Sequence, residues 1–139
     1  MKTNINVNLQ LLISIVFIFS LINCTRSRHE EATKIISPSG KYYLIGVVND
    51  TSKQDQSISI LIYGSNDNLK SKLTLNASDM QKWVIGWTEK TDTILFKSSD
   101  IGTYAWSIEG EKTKPIMITD ELKSQAEKLK QEKYNSRSN

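Results

Sequence analysis

Residues able to do chemistry are few in this chain: it holds one cysteine, Cys24, and one histidine, His29. A lone cysteine excludes an internal disulfide and a thiolate metal cluster. A lone histidine removes most nucleophile–base pairs, because a serine or cysteine nucleophile needs a neighbouring base to take its proton. His29 stands in the polar stretch Thr-Arg-Ser-Arg-His-Glu-Glu-Ala-Thr (25–33), where no packing would hold its ring against an acid, so it reads as a solvated tether residue. Ser98-Ser99-Asp100 places hydroxyls beside a carboxylate, but no base completes a catalytic set. Asp50, Asp67, Asp92 and Asp100 all adjoin turn-forming residues, where aspartate bonds local backbone amides. Asn66-Asp67-Asn68 has donor types found in calcium loops, yet the acidic residue about twelve positions on that would close such a loop is missing. Asn49-Asp50-Thr51 and Asn76-Ala77-Ser78 match the glycosylation pattern, a chance match in an Asn-rich chain. No catalytic residue, metal ligand or cofactor is therefore assigned.

Four aromatic residues, Trp83, Trp87, Tyr104 and Trp106, fall within 24 positions. Tryptophan and tyrosine combine large area with a polar tip and are favoured at binding hot spots. They are equally the filler of a small sheet's core. Both roles stay open: as an exposed face the four would form a binding site for a protein partner.

The compartment is read from the first segment. Lys2 supplies a weakly positive start, and Leu9 to Ile22 is a 14-residue apolar run, the length of a signal-peptide core and short for a membrane span. Leu21-Ile22-Asn23-Cys24 follows directly and resembles the lipobox of bacterial lipoproteins, with Asn23 where Gly, Ala or Ser is usual. The resemblance implies cleavage after residue 23 and a lipid on Cys24, which anchors the protein in the cell envelope, lipid-anchored to a bacterial membrane and facing the periplasm or exterior. An uncleaved anchor and ordinary secretion are the alternatives, and all three place the domain outside the cytoplasm. The net charge of +3 is too small for a nucleic-acid footprint.

Residues 24–33 read as a solvated tether. Ser37-Pro38-Ser39-Gly40 is a turn, with Pro where φ near −65° is wanted and Gly to close it. Lys41 to Val48 reads as a strand buried on both faces, and Asn49 to Gln56 as a polar loop. Ile58, Ile60 and Ile62 alternate with Ser57, Ser59 and Leu61, a strand by its period of two. Leu69, Leu73 and Leu75 alternate with Lys70, Lys72 and Thr74, a strand near a sheet edge. Trp83, Ile85 and Trp87 share one face of the next strand. Thr93 to Lys97 is another, and Tyr104, Trp106 and Ile108 mark the clearest. Pro115 to Thr119 is expected to form a short final strand at an edge. A helix over 120–134 follows, capped by Thr119 or Asp120, with a narrow stripe of Leu122, Ala126 and Leu129; its half beyond Leu129 is expected to fray. Residues 135–139 read as a disordered tail.

The two halves of the β region repeat one order of elements, and Ile36 to Ile45 corresponds to Trp87 to Phe96 at an offset of 51. Each half resembles one blade of the β-propellers in TolB-like and dipeptidyl-peptidase-like proteins, with Ser37-Pro38-Ser39-Gly40-Lys41 matching their Ser-Pro-Asp-Gly-Lys-type turn. Closing a propeller ring needs at least about four blades. With room for two, the chain is expected to pack as an open two-sheet structure, a multi-chain ring or a generic meander being the other outcomes. The expected fold is all-β: an antiparallel meander of two four-stranded, propeller-blade-like sheets over 34–119 with a short C-terminal helix. The expected function is a membrane-anchored, non-enzymatic binding module. An inhibitor or immunity lipoprotein blocking an extracytoplasmic toxin or hydrolase, and an enzyme of unknown type, are the other readings.

Overall fold

A computed structural model describes residues 33–49 and 57–136. The leader, Cys24, His29 and most of the tether lie outside the described residues, as do the 50–56 part of the polar loop and the tail residues 137–139.

The described residues form eight strands and one helix: β1 (Ile35–Ile36), β2 (Tyr42–Asn49), β3 (Ser57–Gly64), β4 (Leu69–Leu75), β5 (Trp83–Trp87), β6 (Ile94–Ser98), β7 (Gly102–Glu109), β8 (Lys112–Pro115) and α1 (Asp120–Asn135). They make two antiparallel meanders, β1-β2-β3-β4 and β5-β6-β7-β8. The first two strands of each sheet join through equivalent turns. Ser37 N–H donates to the Tyr42 carbonyl at 2.9 Å, and 51 positions on Thr88 N–H donates to the Thr93 carbonyl at 3.0 Å. In the first turn Gly40 takes φ 73° and bonds back to the Ser37 carbonyl, the conformation that the Pro-Ser-Gly sequence favours.

The period-two pattern sets which residues face inward. Register pairs Leu44 with Ile62, Gly46 with Ile60 and Val48 with Ile58, so the isoleucines of β3 and alternate residues of β2 share one face. In the second sheet Ile85–Phe96–Tyr104 and Trp87–Ile94–Trp106 line up across three strands. These two faces meet in one core of Leu44, Ile58, Ile60, Ile62, Ile85, Trp87, Ile94, Phe96 and Trp106. Each buried aliphatic or aromatic side chain contributes about 1.5–3 kcal/mol, and the sheets approach closely at Gly46, where a Cβ would lie 3.1 Å from Ile85 Cδ1.

Three expectations are corrected. The β2 strand is buried on both faces only at Tyr43 and Leu44: beyond them Ile45 and Val47 on the outer face are half-buried, where the one described helix covers the second sheet and not the first. The last strand is Lys112–Pro115 rather than Pro115–Thr119. Gly110, at φ 65°, lets Glu109 pair with Lys112 across a two-residue connection, which starts the strand earlier, and Pro115, with no N–H to give, ends it. The helix does not fray beyond Leu129 but continues to Asn135, so Tyr134 is helical.

That helix begins at Thr119, whose hydroxyl accepts from Leu122 N–H at 3.2 Å, with Asp120 and Glu121 in the first turn where the helix dipole favours them. Its stripe of Leu122, Ala126 and Leu129 packs with Ile116 and Ile118 on Leu95 and Ala105, the outer face of the second sheet. Leu129 lies directly over β5: a Cβ on Gly86 would fall 2.8 Å from its Cδ1. Ion pairs Lys97–Glu127 (3.0 Å) and Lys128–Glu89 (2.6 Å) flank the contact. Exposed edges are guarded: β4 carries lysines and a register shift opposite Ile62/Tyr63, and β8 carries Lys112, Lys114 and Pro115.

Candidate functional site

The four aromatic candidates do share one face of the second sheet, but it is the inner one. Trp87 and Trp106 are each 7% exposed and flank Ile94, and both belong to the core beneath the first sheet. Trp87 also satisfies its polar tip there, donating Nε1–H to the Ile35 carbonyl at 2.9 Å and so tying the two sheets together. Tyr104 stacks on Trp106 with ring centroids 6.0 Å apart, and, nearer the end of the sheet, keeps 41% of its surface exposed. Trp83 is half-buried at the start of β5. The set is thus divided between core and rim, and only Tyr104 and Trp83 keep surface for a partner.

Sequence reasoning missed what surrounds Trp83. Lys133 Nζ donates to the Trp83 carbonyl at 2.7 Å and sits 3.8 Å above its ring. Tyr134 Oη accepts from Trp83 N–H at 3.0 Å and donates to its carbonyl at 3.1 Å. The backbone of an edge strand is therefore satisfied by side chains from the last helical turn instead of by another strand. A signal was present, since Lys133 continues the stripe Leu122, Ala126, Leu129 by the next step of four.

The carboxylates are engaged in holding turns. Asp100 accepts from the Ser98 hydroxyl, from Ser78 N–H at 2.7 Å and from Ile101 N–H at 2.9 Å. The Ser78 amide, then the Ser98 hydroxyl, hold its carboxyl below the ordinary range. The expectation of turn chemistry for Ser98-Ser99-Asp100 matches this geometry. Asp67, at φ 59°, accepts from Lys34 Nζ at 2.9 Å and Tyr43 Oη at 2.7 Å, and the Lys34 ammonium is the first cause of its lowered pKa. Its carboxylate is directed at this pair. Among the described residues no group of three or more His, Cys, Asp or Glu is placed to hold a metal ion.

Asp92 joins the two sheets in a way spacing alone hides. Ser39, 53 positions earlier, gives it both a backbone N–H at 3.1 Å and a hydroxyl. Burial pushes the Asp92 carboxyl up, and the two Ser39 bonds together with Ser37 and the Lys41 charge leave it lowered. Ser39, which stands in the Asp position of the turn motif, thereby acts as a donor to an aspartate of the other sheet.

Hydroxyl, carboxylate and ammonium groups thus meet in pairs that fix turns and sheet contacts. Compared with known proteins, the chain matches no family model, no curated protein and no solved structure.

Proposed function

We propose that the chain is an extracytoplasmic lipoprotein, held to a bacterial membrane by acyl chains on Cys24, whose β domain serves as a non-enzymatic binding module. The observation that carries this reading is the place of Cys24, two residues after the 14-residue apolar run Leu9–Ile22 and at the end of Leu21-Ile22-Asn23-Cys24. Two or three acyl chains at about 0.8 kcal/mol per buried methylene hold a protein on a membrane without help from its surface. The engagement of Asp67, Asp92 and Asp100 in structural bonds supports a binding role over a catalytic one. Tyr104 and Trp83 are the aromatic residues that keep surface for a protein partner.

Detergent phase separation tests the reading. Wild-type protein expressed in a bacterial host should enter the detergent-rich phase, and Cys24→Ser should remain a full-length precursor lacking lipid. Identical processing of the two proteins overturns the proposal.

A further inference from the structure

We propose that the outer face of the first sheet docks on the surface of the phospholipid bilayer to which Cys24 anchors the chain, an inference that rests on the lipoprotein reading above. This face is built by register. Tyr43 pairs with Tyr63, Ile45 with Leu61 and Val47 with Ser59, and β4 adds Leu69 and Lys72 opposite Tyr63 and Leu61. Tyr43 and Ser59 are buried, Ile45, Val47, Leu61 and Tyr63 are half-buried, Leu69 is 55% exposed, and Lys72 is exposed. The second sheet offers the contrast. Its outer face, with Leu95 at 1% and Ala105 at 2%, is closed by α1, which packs on β5, β6 and β7. Among the described residues no helix lies on the corresponding face of the first sheet.

The occupant is argued from where the chain enters. Lys34 precedes β1 directly, and its ammonium lies 4.4 Å from the ring centroid of Tyr43, on the face in question. Ten residue steps lead from Cys24 to it, and at roughly 3.3–3.6 Å each they span at most about 36 Å. An anchor on that tether keeps the face at high local concentration beside the bilayer, so that a contact too weak to bind alone is populated. Its chemistry suits the interfacial zone. Tyr63, stacked 4.9 Å from the buried Tyr43, is half-buried and brings an apolar body with a polar tip, and Lys72, exposed opposite Leu61, brings an ammonium for lipid phosphates. Asp67, a carboxylate at its margin, is already matched by Lys34 and Tyr43.

With Cys24 acylated, an introduced cysteine is the single free thiol of the full chain. Full-length lipidated protein carrying Leu61→Cys, Lys72→Cys or, on the exposed surface of α1, Ser124→Cys is labelled with a bimane fluorophore. It is then incorporated into phosphatidylethanolamine–phosphatidylglycerol vesicles containing a nitroxide-bearing lipid. Quenching should be several-fold greater at positions 61 and 72 than at 124. Lys72 is exposed, so its variant carries the test if Leu61→Cys does not fold. Equal quenching at all positions, with the acyl mass present, overturns docking and leaves the anchor standing. Absence of the acyl mass in the same preparation overturns both. Disulfide-linked dimers through Leu61→Cys, without lipid quenching, assign the face to a second copy and overturn the bilayer.

Discussion

Trp106 and Tyr104 sit two positions apart on one strand, yet one is 7% exposed and the other 41%. Trp106→Ala should therefore cost about 3 to 5 kcal/mol and lower the melting temperature sharply. Tyr104→Ala should cost about 1 kcal/mol, since much of its ring is already in water. Calorimetry of the two variants separates the roles; equal losses would contradict the burial. Acid stability tests the carboxylates. Asp100 has a lowered folded pKa, so its contribution is fully present above the unfolded value near about 3.9 and is lost as pH falls through the folded one. Asp67 and Asp92 are lowered too and act in the same direction. Asp100→Asn should be less stable than wild type at neutral pH and show a shallower loss in acid, read from melts on both sides of that window. Alternation marks Trp106 as a shared-face residue from sequence, but which face is covered depends on a second sheet more than 40 positions away. The Ser39–Asp92 contact is illegible for the same reason.

At the scale of elements, the strands around Ile58–Ile62 and Tyr104–Ile108 are legible because large apolar side chains recur at every second position, while the buried positions between them, Ser59 and Ala105, are small. The final strand, Lys112–Pro115, is not, since it carries no apolar alternation and is set by the turn at Gly110. The far half of α1 misleads for a related reason: its hold on the sheet is polar, through Lys133 and Tyr134, and leaves no apolar stripe. Tyr134→Phe should remove two hydrogen bonds to Trp83 at about 1 to 2 kcal/mol, and hydrogen exchange at the Trp83 amide should quicken. Unchanged exchange there would show that the helix end is not what protects β5. Gly86→Ala should cost about 1 kcal/mol, the low end for overpacking, because its Cβ meets the far end of Leu129. Its cost should shrink in a Leu129→Ala background, a non-additivity that a double-mutant cycle measures.

At the largest scale, the described residues form three layers from two meanders and one helix: the sheets face each other over a shared core, and α1 closes the outer side of the second. The equivalent turn bonds of Ser37 and Thr88 give the offset of 51 a physical content. Since α1 is clamped by apolar, ionic and hydrogen-bonded contacts, the protease-resistant unit should extend through Asn135 rather than stop at Thr119. First cleavage inside Ile58–Leu75 would contradict this, as would early loss of the helix. The proposed lipid anchor belongs to the first 24 residues, and the proposed function turns on it. The mass of the N-terminal peptide of protein isolated from bacterial membranes tests it most directly. The account predicts a peptide beginning at Cys24 and carrying acyl chains; residues 1–23 still attached, with no lipid mass, would contradict it.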